Sequence, residues 1–390
     1  MNLKPLQNIV GPERLSTEAA ERCVYRQDAS RLQGDCLAVV WPETAGQISA
    51  LVQWAVAEGV DLTPRGAGTG LCGGAVPQAS VVVDVSRLTA IDFPDPAQAR
   101  VRVGAGVAVG VLNRFLRPHR LFLPVVPGSH RTATLGGMLA TNAAGLHAVR
   151  YGVMSNWVDV AWLVDGQGVV QVLPHDQLVA VAGREGTTGI LVELTLRLAP
   201  LPEQRSITLQ PFETTAALLD QRAAWLADPC LTALEYLNRH AAAAIGWAAY
   251  PHLFAEFEGG GGELQGDRAA ALWRARDGLY PLLARRGYPV IEDPRLGETG
   301  LPELLDWLDG EGIPVFGHLG LGLLHPCFAP GDTRLVELYR RVAAWGGQVS
   351  GEHGIGLKKK AWVGEALRCE LGPLKQGYDP HGVFNRGKLC

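Results

Sequence analysis

The sequence predicts an α+β fold in two domains. Strand-like apolar runs alternate with amphipathic helix patterns over residues 38–199, with a β-hairpin pattern at 158–173. Near residues 200–204 this glycine-rich character gives way to Ala- and Leu-rich helical stretches. A chain of 390 residues is also too long for one ordinary compact domain and comfortable for two. Hydrophobic residues make up 47% and charged residues 19%, which excludes a disordered chain. Lys and Arg number 35 against 39 Asp and Glu, a net charge of −4 with no basic block, so a nucleic-acid binder driven by phosphate neutralisation is excluded. No apolar run reaches the roughly 18–20 residues of a membrane helix, and the N-terminus has no signal-like apolar core. A soluble, cytoplasmic protein is expected. None of the seven cysteines forms a CxxC pair, so they read as free thiols.

The elements follow in order. Ala38–Val40 is a strand, and Thr44 with Gln47 has capping-box spacing before Ile48, Leu51, Val52, Ala55 and Val56, which repeat as one helix face. Val60–Thr63 reads as a short strand, followed by the loop PRGAGTGLCGGAVP at 64–77. Strands at 80–85 and 101–103 come next. A helix over 107–116 has Val107, Val111, Leu112 and Phe115 in register. A second glycine-rich block spans 127–145. Strands at 158–164 and 168–173 are joined by Asp165-Gly166-Gln167-Gly168, which has hairpin-turn chemistry, and Gly186–Ala199 is a glycine turn continuing as a strand. Gly259–Gly262 reads as a mobile loop. The expected domains are 1–200, 201–345 and a C-terminal segment, 346–390, that returns to the first.

The loop at 64–77 holds five glycines in the nine positions 66–74. A dinucleotide fingerprint of the Rossmann type needs a helix opening directly from such a loop, and here a strand follows, so that reading fails. The glycines still free successive N–H groups for an anion nest, with Arg65 adding charge and Thr69 a hydroxyl. In the second half, His318 and His325 lie seven apart in VFGHLGLGLLHP, and Glu352-His353 follow in SGEHGIG. Two histidines and a carboxylate suit a borderline divalent ion. That spacing points to opposite faces of a straight strand, but Gly320 and Gly322 allow a turn. Residue types alone therefore leave two readings, a metal site or hydrogen-bonded histidines beside a glycine turn.

PRGAGTGLCGGAVP resembles the pyrophosphate loop of the vanillyl-alcohol-oxidase (PCMH) type FAD domain, in the family of D-lactate dehydrogenase, glycolate oxidase and D-2-hydroxyglutarate dehydrogenase. PGSHRTATLGGMLATNAAGLHAVRYG, EGTTGI and FNRGKL resemble further segments of that family, in its order. The resemblance implies an FAD domain of two α/β subdomains and a substrate domain with an antiparallel sheet. It implies FAD contacts at Arg65, Gly66, Ala67, Gly68, Thr69, Gly70, Gly73 and Gly74 (pyrophosphate). Pro127, Ser129, Thr134, Gly136, Gly137 and Asn142 would lie along the ribityl chain and ring. Gly186, Thr187, Gly189 and Ile190 would contact the adenosine or ring edge, and Asn385 would close the site. The first loop has no histidine, so FAD is expected to be non-covalent, with His130 and His147 as ordinary histidines.

HLGLGLLH resembles the family's HxGDGNxH, and SGEHGIG matches its segment letter for letter. This implies zinc or manganese on His318, His325 and Glu352, with His353 as general base. WRAR resembles a WxxR segment that assigns the substrate carboxylate to Arg276, and Lys359 stands where the family carries a substrate lysine. The implied activity is oxidation of a small D-2-hydroxy acid to the 2-oxo acid by hydride transfer to flavin N5. Electrons would leave through an external acceptor such as a quinone, a cytochrome or an electron-transfer flavoprotein, which could place the protein at a membrane periphery. The alternatives are an FAD-binding subunit of a larger glycolate-oxidase-like electron-transfer complex, or another flavoprotein alcohol oxidase; a partner subunit or a homodimer is the expected assembly. Where the family has Asp and Asn between the histidines this chain has Leu321 and Leu323, the lysine expected near Ile291 before Asp293 is absent, and the stretch between Glu258 and Trp273 is short. These departures imply a smaller, more apolar pocket or a weakened metal site.

Overall fold

The computed structural model describes residues 3–95, 97–260 and 262–389. Gly261, in the run expected to form a mobile loop, and Cys390 lie outside the described residues. The chain divides into two compact units: unit 1 is Met1–Ala143, Val153–Leu201 and Glu352–Cys390, and unit 2 is Ala144–Gly152 and Pro202–Gly351. The expected boundaries thus differ in two places. Residues 144–152 belong to unit 2, where Val149 packs against the apolar core and Arg150 bonds Pro229 O. The return to unit 1 falls after Gly351 rather than after residue 345.

Unit 1 holds two four-stranded sheets. In the first, the order is Leu15–Ser16, Asp35–Val40, Gln78–Asp84, Leu62–Arg65, the last three parallel. Such strands are covered on both faces, and Ala38, Val39, Val40 and Val81 to Val83 are accordingly all fully buried. The helix Ala45–Glu58 covers one face with Ile48, Leu51, Val52 and Ala55. Thr44 Oγ1 accepts from Gln47 N–H, but the Gln47 side chain accepts from Glu43 N–H, one residue before the reciprocal position of a capping box. The strand expected at 60–63 runs instead over Leu62–Arg65, because Val60 N–H bonds back to Ala55 O at the helix end.

The second sheet is antiparallel, in the order Arg100–Gly104, Ile190–Arg197, Val158–Val164, Val170–Pro174. Asp165 closes its hairpin, Oδ1 accepting from the N–H groups of Gln167 and Val169. The helix expected at 107–116 begins at Val109, since Val107 N–H closes a turn to Gly104 O. Its buried face is therefore Val109, Leu112 and Leu116, while Val111 and Phe115 are exposed.

The C-terminal segment completes unit 1. After the helix Glu365–Tyr378, Leu62 N–H donates to Val383 O and Asn385 N–H to Leu62 O, so the tail lies parallel along the open edge of Leu62–Arg65. Phe384 is fully buried there.

Unit 2 is one antiparallel sheet in the order Arg205–Pro211, His252–Glu258, Leu231–Leu237, Val315–Gly317, His325–Phe328, Val290–Ile291. One face carries Leu234, Tyr236, Leu253 and Ala255 and packs with Leu218, Leu304, Leu305 and Leu338 from three helices. Side chains alternate along a strand, so Glu235, Phe254 and Glu256 belong to the opposite face.

Removal of the Phe384 ring (Phe384→Ala) should destabilise unit 1 by about 3–5 kcal/mol. A urea midpoint that does not move would remove the tail from the core of this unit.

Candidate active site

In unit 1 the glycine loop leaves the strand Leu62–Arg65. Arg65 does not project freely from it: Nη1 donates to Gln27 O at 2.9 Å and to Ala75 O at 3.3 Å, and the guanidinium lies over the Tyr25 ring. Asp28 fastens the same loop by accepting from Ala75 N–H. The result is a cavity of about 370 Å³ walled in part by Arg65, Asp28, Gly68, Thr69 and Ser129. Among the described residues, the N–H groups of residues 66–70 have no acceptor within the chain, a cluster of backbone donors that matches a pyrophosphate. Gly68 and Gly73 take positive φ values of 66° and 83°. At Gly66 a Cβ would come within 2.2 Å of Thr134 Oγ1, so only glycine lets the two segments meet.

The second glycine block supports this loop. Thr134 caps the helix Leu135–Ala140 by accepting from Gly137 N–H. Gly136 N–H bonds Ala105 O, and a Cβ on Gly136 would strike Ala105. Pro127 and Ser129 shape the preceding turn with their carbonyls, and Asn142, at φ 49°, accepts from Ser155 N–H. Gly189 packs against Val164 O, and the Ile190 side chain lies in the apolar core. Thr187 Oγ1 donates to Arg184 O. Asn385, buried and at positive φ, donates to Gly74 O at 3.1 Å and Glu185 O at 2.7 Å, tying three segments together.

Reading the sequence missed two ionisable groups at this junction. Glu185 Oε1 accepts from Ile355 N–H at 2.6 Å, which ties the EGTTGI turn to SGEHGIG; burial pushes its carboxyl up to about 7 against the hydrogen bonds from the Ile355 and Gly356 backbone. Lys388 donates to Gly74 O and Asn385 Oδ1, and burial pulls its ammonium down to about 7, opposed by Asp28 and Glu185. Both lie inside motifs, EGTTGI and FNRGKL, whose glycines drew the attention. Lys359 is completely buried, whereas Lys360 is exposed. His353 Nε2 stands 3.7 Å from Glu352 Oε1.

Unit 2 contains a second polar cluster. A 3-10 turn at Leu319–Leu321, with Gly322 at φ 66°, folds the chain back so that the His318 and His325 rings lie 5.3 Å apart. A Cβ on Gly322 would sit 2.0 Å from Leu296 O, so the turn requires glycine. His318 Nδ1 bonds Glu235 Oε1 at 2.5 Å, and His325 Nδ1 faces Glu292 O at 3.3 Å. With Nδ1 as donor in each ring, Nε2 carries the lone pair, the arrangement of metal-ligating histidines. The donor set therefore fits a divalent ion. Leu323 is buried and Leu321 half-buried.

Arg276 and Trp273 sit three apart on the helix Gly266–Asp277, which buries none of its own residues. Two glutamates of the sheet hold it: Glu235 Oε2 accepts from Arg276 Nε at 2.7 Å, and Glu256 Oε2 from Trp273 Nε1 at 2.8 Å. Glu256 also meets His147 and Thr232, so His147 has a structural partner. The Arg276 charge and the hydrogen bonds from Arg276 and His318 keep the Glu235 carboxyl below the usual range despite burial, and the hydrogen bonds from His147 and Thr232 with the Arg205 charge do the same for Glu256. Arg276 Nη2 is buried and has no hydrogen-bond partner among the described residues, which fits a visiting carboxylate. The sign of Glu235 in the sequence is a lone charge in the otherwise apolar run LTALEYL.

Comparison with known proteins bears on this arrangement. Residues 36–173 match the FAD binding domain, and residues 227–389 match the C-terminal domain of FAD linked oxidases. D-2-hydroxyglutarate dehydrogenase of Xanthomonas citri pv. viticola is 30% identical, over 98% of this chain and 96% of that protein. The chain belongs to the FAD-linked oxidase family. Glycolate oxidase subunit GlcD of Bacillus subtilis is 26% identical, over 98% and 95% of the two chains. D-lactate dehydrogenase of Archaeoglobus fulgidus is 28% identical over 90% of each. Among solved structures, alkyldihydroxyacetonephosphate synthase shares the fold with a TM-score of 0.71 at 16% identity, covering 99% of this chain and 85% of that one. As a member of this family the protein is an FAD-binding oxidoreductase, and no helix among its described residues is long and apolar enough to cross a membrane.

Two outcomes follow for this FAD-linked oxidase. Gly66→Val should lose bound FAD, read from the ratio of flavin to protein absorbance, because its side chain would displace Thr134. Glu185 binds more protons in the native state between its ordinary 4.5 and about 7, so its contribution to stability falls as pH rises through that window. Relative to Glu185→Gln, the wild type should therefore lose unfolding free energy from pH 4.5 to 7 and stay level above it. A flat difference across the window would contradict the burial of this carboxyl.

Proposed function

We propose that this protein oxidises a small D-2-hydroxy acid to the 2-oxo acid, using non-covalent FAD and a divalent ion, zinc or manganese. The observation that carries this reading is the buried, unsatisfied Nη2 of Arg276 held beside two histidines whose Nδ1 atoms are both engaged. The relatives named D-2-hydroxyglutarate dehydrogenase, D-lactate dehydrogenase and glycolate oxidase support the substrate class.

When bound, the flavin supplies a hydride acceptor at N5 and the divalent ion a Lewis acid that lowers the pKa of the substrate hydroxyl. The chain supplies the rest. Arg276 pairs with the substrate carboxylate through Nη2, its guanidinium plane set by Glu235 and by the Phe316 ring 5.0 Å away. By the family resemblance, His318, His325 and Glu352 would be the residues that hold the ion. His353 takes the hydroxyl proton on its imidazole, a group suited to that work near neutral pH, and Lys359 assists in binding the acid. The glycine loop, Thr134, Gly186 and Asn385 hold the flavin.

Glycolate oxidase GlcD is named as a subunit, which favours a second reading in which this chain carries FAD inside a larger assembly. In either case electrons pass to an external acceptor such as a quinone, a cytochrome or an electron-transfer flavoprotein.

Anaerobic mixing with a panel of D- and L-2-hydroxy acids tests both. Bleaching of the flavin by a D-acid, lost on chelation and restored by zinc or manganese, is expected. Turnover by the isolated chain with a dye acceptor separates an enzyme from a dependent subunit. His353→Ala should retain FAD and lose bleaching, and Arg276→Ala should lower kcat/KM about 10- to 100-fold through loss of a charge-assisted pair. Bleaching by His353→Ala at the wild-type rate would refute its role as base.

A further inference from the structure

We propose that Glu235 is a positioning residue serving two functional groups with one carboxylate: it fixes the ligating tautomer of His318 and turns the open edge of Arg276 toward the substrate. The inference rests on the metal and substrate roles proposed above for those two residues.

Glu235 lies in the strand Leu231–Leu237, 1% exposed, and its two oxygens go to different partners. Oε1 takes His318 Nδ1 at 2.5 Å, and Oε2 takes Arg276 Nε at 2.7 Å. A carboxylate facing arginine alone commonly takes two parallel N–H donors. Here the second oxygen is committed to His318, so Arg276 is held by Nε only and Nη2 stays buried without a partner among the described residues. The split in the carboxylate is thus the reason that an arginine already carrying a counter-ion can still bind an anion. The same split acts on His318. An acceptor at Nδ1 places the proton there, leaves the lone pair on Nε2 and raises the basicity of the ring toward a metal. The Phe316 ring beneath the guanidinium and beside His325 confines both groups.

Glutamine is isosteric with glutamate but cannot accept from both partners, since one of its two ends is a donor. In Glu235→Gln, with full-length FAD-loaded protein, zinc affinity is read by competition with a chromophoric chelator and the KM for the bleaching D-acid with a dye acceptor. Zinc binding about 10- to 100-fold weaker, KM raised by a similar factor, or both, is expected. Zinc affinity and KM both within twofold of the wild type would overturn the proposal. A wild type that binds no zinc, or a His318→Ala variant that binds it as well as the wild type, would instead overturn the metal reading on which the proposal stands. If Glu235→Gln does not fold, Glu235→Gln/Arg276→Met and Glu235→Leu/Arg276→Met leave no lone buried charge and differ only in offering His318 an acceptor. Zinc should then bind about 10- to 100-fold more weakly to the leucine variant, and equal affinities would overturn the proposal.

Discussion

A carboxylate taken out of water must find donors, and in unit 2 two of them find the same helix. Glu235 and Glu256 stand on neighbouring strands of one sheet face, and each accepts from one side chain of the helix Gly266–Asp277. That helix buries no residue of its own, so its seat depends on two polar anchors and on the contact of Trp273 with Phe254. The WxxR spacing acquires a physical meaning from this: three residues apart is one helix face, and that face must reach two glutamates at once. Replacing either glutamate would leave a buried donor unmatched, a cost of about 1–3 kcal/mol for each group.

Much of the fold was legible because its strands and helices announce themselves by period. The helix Ala45–Glu58, the hairpin at Asp165 and the strand after Gly189 follow from apolar repeats and turn chemistry alone. The misplaced details were local hydrogen bonds that no period encodes. Val60 closes a helix end rather than opening a strand, and Val107 sits in a turn, which rotates the buried face of the next helix. The glycine loop and the histidine pair were visible as residue types. Their partners were not, because Glu185, Glu235, Glu256 and Lys388 come from distant segments and read in sequence as isolated charges.

In unit 1 the glycines matter for what they let other groups do. Gly66 lets Thr134 come close, Gly356 brings its backbone onto the Cys72 carbonyl, and Gly74 offers its carbonyl to Asn385 and Lys388. Arg65, expected to offer charge to a ligand, spends part of its guanidinium bracing the loop through Gln27 and Ala75. The loop thereby presents mainly backbone N–H groups held in place, a preorganised array that an anion would meet without any side chain reorienting.

The threading of the chain has a temporal consequence. Unit 1 is assembled from three stretches, and the last of them lays Phe384 along the edge of Leu62–Arg65, more than three hundred residues upstream. Unit 1 can therefore be completed only once the segment after Gly351 has been made, because that segment supplies the partner for the edge of Leu62–Arg65. Unit 2, made almost wholly of residues 202–351, can close first. The units thus need not be completed in the order in which their first residues are made, and a strand edge left unpaired in the interval is a template for unwanted pairing.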